Sequence, residues 1–476
     1  MNHIKLHSYF CVLVTCLVLV SCSKESEITP VPELLEIAEP QGAFETENKL
    51  LKDVSLLVGQ ALTDAEVRAE VNSKIENADA LQELVSLSFL LGRENGLSKT
   101  ESTALKSGKL SLASGTNRFV KALAHEVATN GSAYTALSEQ LERNGFDPTA
   151  SKSAGAATEQ LTALLADQNL ELYYPFAEGP QAASKSAGDF YVSYRPVQYV
   201  EVNEVFLHSG ADTEAAALKS FGVVNNDFID THNVYILGYM DACDVPGKQC
   251  DFVDLVPEEP EGQPEPLGAQ AKLLTYNVNH SSIEEEDIVS TRFSGFKIDG
   301  NDWLGFGASH QKIEIYRGSA DGKISVEDGK ISATSKSYNI NYYRIRAKGA
   351  RKGWWYHHND EFDDDWNMSE NEQVITLFTK HHLTGSASVE LNTKAGLELK
   401  NGSIKAVPQA TVSSKIKVSL GSARQRTKAQ LSRRQVLATI VGPGVTQRTI
   451  TRDGQTWNVK KSGIFHYYFK HYYTDL

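Results

Sequence analysis

Long apolar runs are scarce in this chain of 476 residues. The one that stands out, Phe10 to Val20, falls short of the ~20 residues that a helix needs to cross a bilayer. Positive charge is also in deficit. Lys and Arg number 47 against 60 Asp and Glu, a formal net charge of −13, with a pI near 5.5. A chain of that sign offers no broad basic face to phosphates, so nucleic acid is not an expected partner. Cysteine is limited to five. Cys11, Cys16 and Cys22 sit at the start, which leaves Cys243 and Cys250 in the body of the chain.

Familiar catalytic signatures are missing too. His125-Glu126-Val127-Ala128-Thr129 opens as HExxH does, but Thr129 stands where the second zinc histidine belongs. Gly318 to Ser325 is one residue short of a phosphate-cradling loop, and Ile follows its Lys. Gly307-Ala308-Ser309-His310 lacks the Gly that a nucleophile elbow carries two residues after its Ser. In a strand, His357-His358 or His381-His382 would point to opposite faces, so at most one of each pair could join a metal. Surface or packing roles are expected for them.

What is present begins with an address. MNHIKLHSYFCVLVTCLVLVSC has a basic start at Lys5, then the apolar run, then Leu19-Val20-Ser21-Cys22. Those four residues resemble the lipobox of bacterial lipoproteins. The resemblance implies cleavage after Ser21 and acylation of Cys22, with acyl chains that anchor the chain without a spanning helix. Ser23, where Asp would imply retention at the inner membrane, implies transfer to the outer membrane. Lys24-Glu25-Ser26-Glu27 partly matches the acidic signals that send some lipoproteins to the cell surface. The periplasmic and outward faces both stay open. An exported chain meets an oxidising compartment, so Cys243 and Cys250 are expected to close a short loop over Pro246-Gly247.

The remaining length suits two to four domains of ~100–200 residues. Residues 1–21 read as signal peptide and 22–47 as a lipid-anchored tether with Pro30, Pro32 and Pro40. Residues 48–169 carry helical periodicity, with Leu50, Leu51, Val54, Leu57, Val58 and Ala61 on one face. Thr63 to Glu66 and Ser98 to Glu101 read as capping boxes, and Asp79–Leu91 and Asn117–Arg143 as further amphipathic helices. From Leu170 the period becomes two, giving a β-rich domain over 170–255. Residues 256–268, VPEEPEGQPEPLG, read as a linker. Over 269–476, strands are expected at 271–278, 312–316, 338–346, 374–379, 387–391, 415–420 and 436–441. Asp321-Gly322 and Asp328-Gly329 are turn signals, and the aromatic C-terminus reads as a last strand. The fold class expected is α+β: an N-terminal helical bundle followed by one or two antiparallel β-sandwich domains.

One stretch suggests chemistry. Trp354–Asn367, WWYHHNDEFDDDWN, sets five carboxylates among aromatic rings and reads as a loop between strands. Clustered carboxylates must be neutralised. Water could screen them, or the preceding basic run of Arg344, Arg346, Lys348, Arg351 and Lys352 could pair with them. A hard cation such as calcium could also bind them. With Asp299-Gly300-Asn301-Asp302-Trp303, the stretch resembles the calcium loops of C2 domains, although it lacks that family's Asp-Pro-Tyr and its Asp-x-Asp spacing. The resemblance implies metal ligands at Asp299, Asp302, Asp360, Asp363 and Asp365. The function expected is binding or structural, with calcium as the candidate cofactor and an envelope protein or a glycan as partner. A hydrolase using carboxylates or a bound metal is the alternative.

Overall fold

The computed structural model describes residues 44–78, 83–112, 117–145, 154–175, 189–208, 218–250, 252–255, 272–273, 287–300, 304–319, 324–327, 330–333, 336–366, 372–380, 387–400, 403–418, 423–432, 448–452 and 454–474. The signal, Cys22, most of the tether, the linker, Asp302, Trp303, His381-His382 and the strand expected at 436–441 lie outside them.

The helices come first. α1 (Glu45–Ala61) buries Leu50, Leu51, Val54, Leu57 and Val58 on the stripe its periodicity marks. α2 (Ala65–Ala78) is capped by Asp64, whose Oδ1 accepts from the Glu66 and Val67 amides, rather than by Thr63. Next come β1 (Leu84–Ser86) and α3 (Leu87–Leu91), where one longer helix was expected. These eight residues are buried throughout, and Ser86 ends the strand by capping the helix through the Phe89 amide. α4 (Lys99–Lys106) does open with the Ser98–Glu101 capping box. α5 (Arg118–Asn130), α6 (Thr135–Arg143) and α7 (Ala154–Asp167) complete the set. The Asp53 carboxylate, from α1, accepts from the first amides of α6.

β2 (Leu170–Tyr173), β3 (Phe190–Tyr194), β4 (Asn203–His208), β5 (Lys219–Val224), α8 (Asn226–Thr231) and β6 (Val234–Tyr239) follow. With β1 the strands form one six-stranded sheet in the order β1-β2-β6-β3-β4-β5, in which only the β3–β6 pair is parallel. The helices do not close on themselves as a separate bundle. Leu50, Val54, Phe119 and Leu165 share one core with Leu170, Leu172, Val192, Tyr235 and Leu237 of the sheet. Gly59 marks the closeness, since a Cβ there would meet Val192 Cγ2 at 2.7 Å. The alternate positions Tyr173, Val234 and Ile236 face the other side, where they pack with Phe306 from the second half of the chain.

That second half runs β7 (Val253–Asp254), β8 (Lys272–Leu273), β9 (Ile288–Ile298), β10 (His310–Ser319), β11 (Ile324–Glu327), β12 (Lys330–Ala333) and β13 (Lys336–Arg346). It continues through α9 (Ala347–Arg351), β14 (Tyr356–Asp363), β15 (Glu372–Lys380), β16 (Ala387–Lys400), β17 (Ser403–Val418) and β18 (Ala423–Ser432). β19 (Thr449–Arg452), β20 (Gln455–Asn458), β21 (Lys460–Ser462) and β22 (Phe465–Thr474) end it. One sheet has the order β18-β15-β10-β13-β7 and a second has β14-β9-β22-β21. Ile313, Ile315, Ile345 and Leu377 of the first share a core with Phe293, Phe296, Phe465 and Phe469 of the second. The aromatic C-terminus is therefore an interior strand, β22, between β9 and β21. Asp328-Gly329 joins β11 to β12 with Glu327 opposite Lys330, the register of a two-residue hairpin. The architecture is α+β.

Candidate functional site

The acidic stretch is a strand and not the loop its composition suggested. β14 pairs antiparallel with β9, Asp360 opposite Phe293 and Asp363 opposite Thr291. Three aromatic rings of the stretch are core, Tyr356 and Trp366 at 0% exposed and Phe362 at 1%, while Trp354 and Trp355 are half-buried. The carboxylates are neutralised one at a time. Asp363 pairs with Arg317 at 3.2 Å and accepts from the Gln373 side-chain amide. Glu361 pairs with Arg292 at 3.3 Å. Asp360 accepts from Asn341 Nδ2 at 3.0 Å and from the Tyr343 hydroxyl, with His358 Nδ1 at 2.7 Å. Burial pushes the Asp360 carboxyl up to about 6 and His358 down to about 3, so the imidazole is neutral. The preceding basic run pairs elsewhere: Arg344 with Asp244 and Asp254, Lys348 and Arg351 with Glu83.

Asp299 sits just past the far end of β9. Thr291 and Asp299 are separated by roughly 25 Å of strand at ~3.3 Å per residue. Burial opposes ionisation of Asp299, but hydrogen bonds from His466 and Lys461 outweigh it and hold the carboxyl at about 2. Asp365 lies in the turn after β14, its amide donating to Asp363 Oδ1 at 3.1 Å. The structure thus brings Asp363 and Asp365 together and leaves Asp299 apart. Among the described residues, no group of three or more His, Cys, Asp or Glu side chains is placed to hold a metal. His357 and His358 do face opposite ways. His357 lies 3.2 Å from the Tyr468 hydroxyl, while His358 packs on Phe293 inside.

The more developed site lies where the six-stranded sheet meets β10. A cleft of about 320 Å³ opens there, lined by Phe44, Arg195, Tyr199, Tyr239, His310 and Lys312 among others. Its floor is a buried polar knot. Glu171, 1% exposed, is the second residue of the apolar β2 and points away from the helices. The Arg195 guanidinium donates to Glu171 Oε1 at 2.9 Å, to Ser309 Oγ at 3.1 Å and to the Tyr239 carbonyl. It lies flat across β6 because residue 238 is Gly; a Cβ there would sit 2.9 Å from Arg195 Nε. Ser309 Oγ donates to Glu171 Oε1 at 3.1 Å and stands 3.2 Å from His310 Nδ1. Burial pushes the Glu171 carboxyl up, against Arg195, which pulls it down. Burial, aided by the Arg344 and Arg346 charges, pushes His310 well below its ordinary value. A neutral His310 that donates from Nδ1 to Ser309 leaves Nε2 as an acceptor. At the rim Lys312 pairs with Asp241 at 3.1 Å.

This set does not make a nucleophile. The acid is bonded to the serine instead of to the histidine, and Arg195 occupies a lone pair of Ser309 Oγ. It can hold a polar ligand between aromatic walls. The loop that carries Ser309 is itself pinned. Asn226 Nδ2 donates to the Leu304 and Gly305 carbonyls, and its Oδ1 accepts from the Gly307 amide. Gly307 has φ +63°, and a Cβ on it would come within 2.8 Å of Ile236.

Beside the cleft the expected disulfide is formed between Cys243 and Cys250. Its loop holds both halves of the chain. Asp244 bonds Arg344 of β13, its carbonyl accepts from the Lys99 amide at 2.7 Å, and the Lys248 carbonyl accepts from Lys99 Nζ. A second buried knot joins Glu83 and Tyr173 to Arg351 of α9. Sequence reasoning passed over Glu171 and Arg195, and considered Arg344 only as a partner for the acidic stretch, whereas it pairs with Asp244 and Asp254. The one signal was a charged residue inside an otherwise apolar strand, as in Leu170-Glu171-Leu172-Tyr173. No family model, curated protein or solved structure matches the chain.

Proposed function

We propose that the chain is an outer-membrane lipoprotein, acylated at Cys22, that binds a glycan in the cleft beside Arg195 and His310. In this reading the two sheets around Phe293 and Ile313 act as a β-sandwich that presents one wall of the cleft, and the helix-covered sheet presents the other. The observation that carries the binding assignment is the cleft itself: about 320 Å³, with Tyr199 and Tyr239 in its lining and fixed donors and acceptors at Lys312, Asp241 and His310. Sugars are recognised in this way, by rings against their C–H faces and by directed hydrogen bonds to their hydroxyls. The ion pairs cancel the local charge, which favours an uncharged polyol over an anion. A hydrolase would need an acid and a base free to act, and Asp241 is committed to Lys312.

The test is an array of envelope and host oligosaccharides probed with the purified protein, wild type and Tyr199→Ala. Saturable binding that the substitution weakens, at an unchanged melting temperature, is the expected result. Binding that Tyr199→Ala leaves intact places the ligand elsewhere and overturns the assignment. Metabolic labelling with a palmitate analogue tests the anchor, with the label lost in Cys22→Ser.

A further inference from the structure

The β16–β17 ribbon is hydrogen-bonded into neither sheet of the second half, although it comes close to β10, β12, β13 and β15. Its strands have 14 and 16 residues, and neither pairs with a third strand among the described residues. It is rooted where β15 and β18 pair, Lys380 opposite Ala423, and resumes at Ala387 opposite Val418. At ~3.3 Å per residue it is roughly 45 Å long. The two residues between its strands are Asn401-Gly402, the pair that a two-residue hairpin loop favours.

Its charged residues keep to alternate positions throughout. Along β16, ASVELNTKAGLELK, the odd positions are Ala, Val, Leu, Thr, Ala, Leu and Leu, and the even ones are Ser, Glu, Asn, Lys, Gly, Glu and Lys. The register carries the pattern onto β17, with Val389 opposite Ile416, Thr393 opposite Val412 and Leu399 opposite Ile404. The one irregularity passes from Ala395↔Ala410 to Leu397↔Ala406. That is an even step on each strand, so the faces do not exchange, and Pro408 falls inside it, where its missing N–H is tolerated. Five lysines and two glutamates all fall on one set of rows, a surplus of three positive charges, and the other rows carry none. A strand crosses a bilayer in ~9–11 tilted residues, and strict apolar/polar alternation over that length, ending in a tight turn, is the pattern of barrel strands. A sheet with one face on a soluble core alternates in the same way; what distinguishes this ribbon is that its two long strands pair with no third strand among the described residues.

We infer that the β16–β17 hairpin is a membrane-inserting element. Several copies of the chain contribute one hairpin each to a β-barrel, with the uncharged rows toward lipid and the lysine-rich rows lining the lumen. Several copies are required because a lone hairpin in hydrocarbon leaves two edges of unpaired amides and carbonyls, and closure removes them. The excess of lysine gives the lumen a preference for anions. The inference stands on the ribbon alone and does not need Cys22 acylation or the cleft.

The full chain is mixed with vesicles of phosphatidylethanolamine and phosphatidylglycerol loaded with an anionic and a cationic dye of like size. Release of both, the anionic dye faster, is the expected result. An environment-sensitive fluorescent amino acid is placed singly at Leu391 and at Asn392. The 391 probe shifts to the blue only when vesicles are present, and the 392 probe does not shift. Leu391→Lys lowers release by roughly tenfold or more, because it sets a charge against lipid. Asn392→Lys, on the lumen rows, leaves release intact and controls for folding. No release overturns the inference. So does a 391 probe already shielded without vesicles, which would show the uncharged rows packed on protein instead.

Discussion

Asp360 is a carboxylate whose charge the fold tolerates poorly, and replacing it with Asn is expected to stabilise the protein at neutral pH. The side chain is held between β14 and β13 by Asn341, Tyr343 and His358, and the nearest cation, Arg292, is on β9 and paired with Glu361. Burial raises its pKa from 3.8 to about 6. The folded state therefore binds this proton more tightly than the unfolded chain does. The stability associated with the protonated carboxyl is fully present below about pH 4 and is lost as pH rises through about 6. At 1.36 kcal/mol per pK unit the loss is about 3 kcal/mol, complete near pH 7. Asn keeps an oxygen for the Tyr343 hydroxyl and has no charge to desolvate. His358, at about 3, is neutral throughout this window and does not contribute. Urea denaturation of wild type and Asp360→Asn at about pH 5 and about pH 7.5 measures the difference, with all other titrating groups cancelling between the two proteins. The variant should be more stable at the higher pH by up to about 3 kcal/mol, and the advantage should shrink at the lower. An equal difference at both pH values, or a variant destabilised at pH ~7.5, would refute the claim that a buried charge is the cause.

Arg344→Ala strands Asp244 among buried groups and should cost about 3–5 kcal/mol, read from the urea midpoint. Reducing the Cys243–Cys250 bridge, or Cys243→Ser, frees an eight-residue loop and should cost about 2.5 kcal/mol, seen as a lower melting temperature in reductant. Gly307→Ala forces a Cβ to within 2.8 Å of Ile236 at φ +63°. It should destabilise by about 1–3 kcal/mol and weaken any cleft ligand, because the Ser309 loop can no longer lie on β6.

How much of this was legible depends on which force set each element. α1 and α4 follow from helical spacing and a capping box, both local, and both appear as the residues dictate. β1 was hidden inside a helical pattern because Leu84, Val85 and Ser86 pair with β2, some eighty residues away, and a fully buried run has no period to read. β14 was hidden for the opposite reason. Asp360 and Asp363 make it look like a solvated loop, and the groups that take them into the core, Tyr343, Asn341 and Arg317, come from β10 and β13. The alternation of 387–400 was visible as a period of two, and the whole of 387–418 was read only as two short strands at its ends.

The buried charges beneath and beside the cleft share the logic of β14. Glu171, Arg195, Asp244 and Arg344 are each unfavourable where they stand and acceptable only in each other's company, since desolvating a lone charge costs far more than a bonded pair returns. Two of the four belong to the helix-covered sheet or its edge and one to β13, so neither half of the chain can bury its share without the other in register. An apolar contact between the halves would tolerate sliding; a guanidinium that must reach Glu171, Ser309 and the Tyr239 carbonyl at once does not. The buried charges therefore act less as a source of stability than as a means of fixing how the halves meet. The cleft lies on that seam, where its shape is held constant.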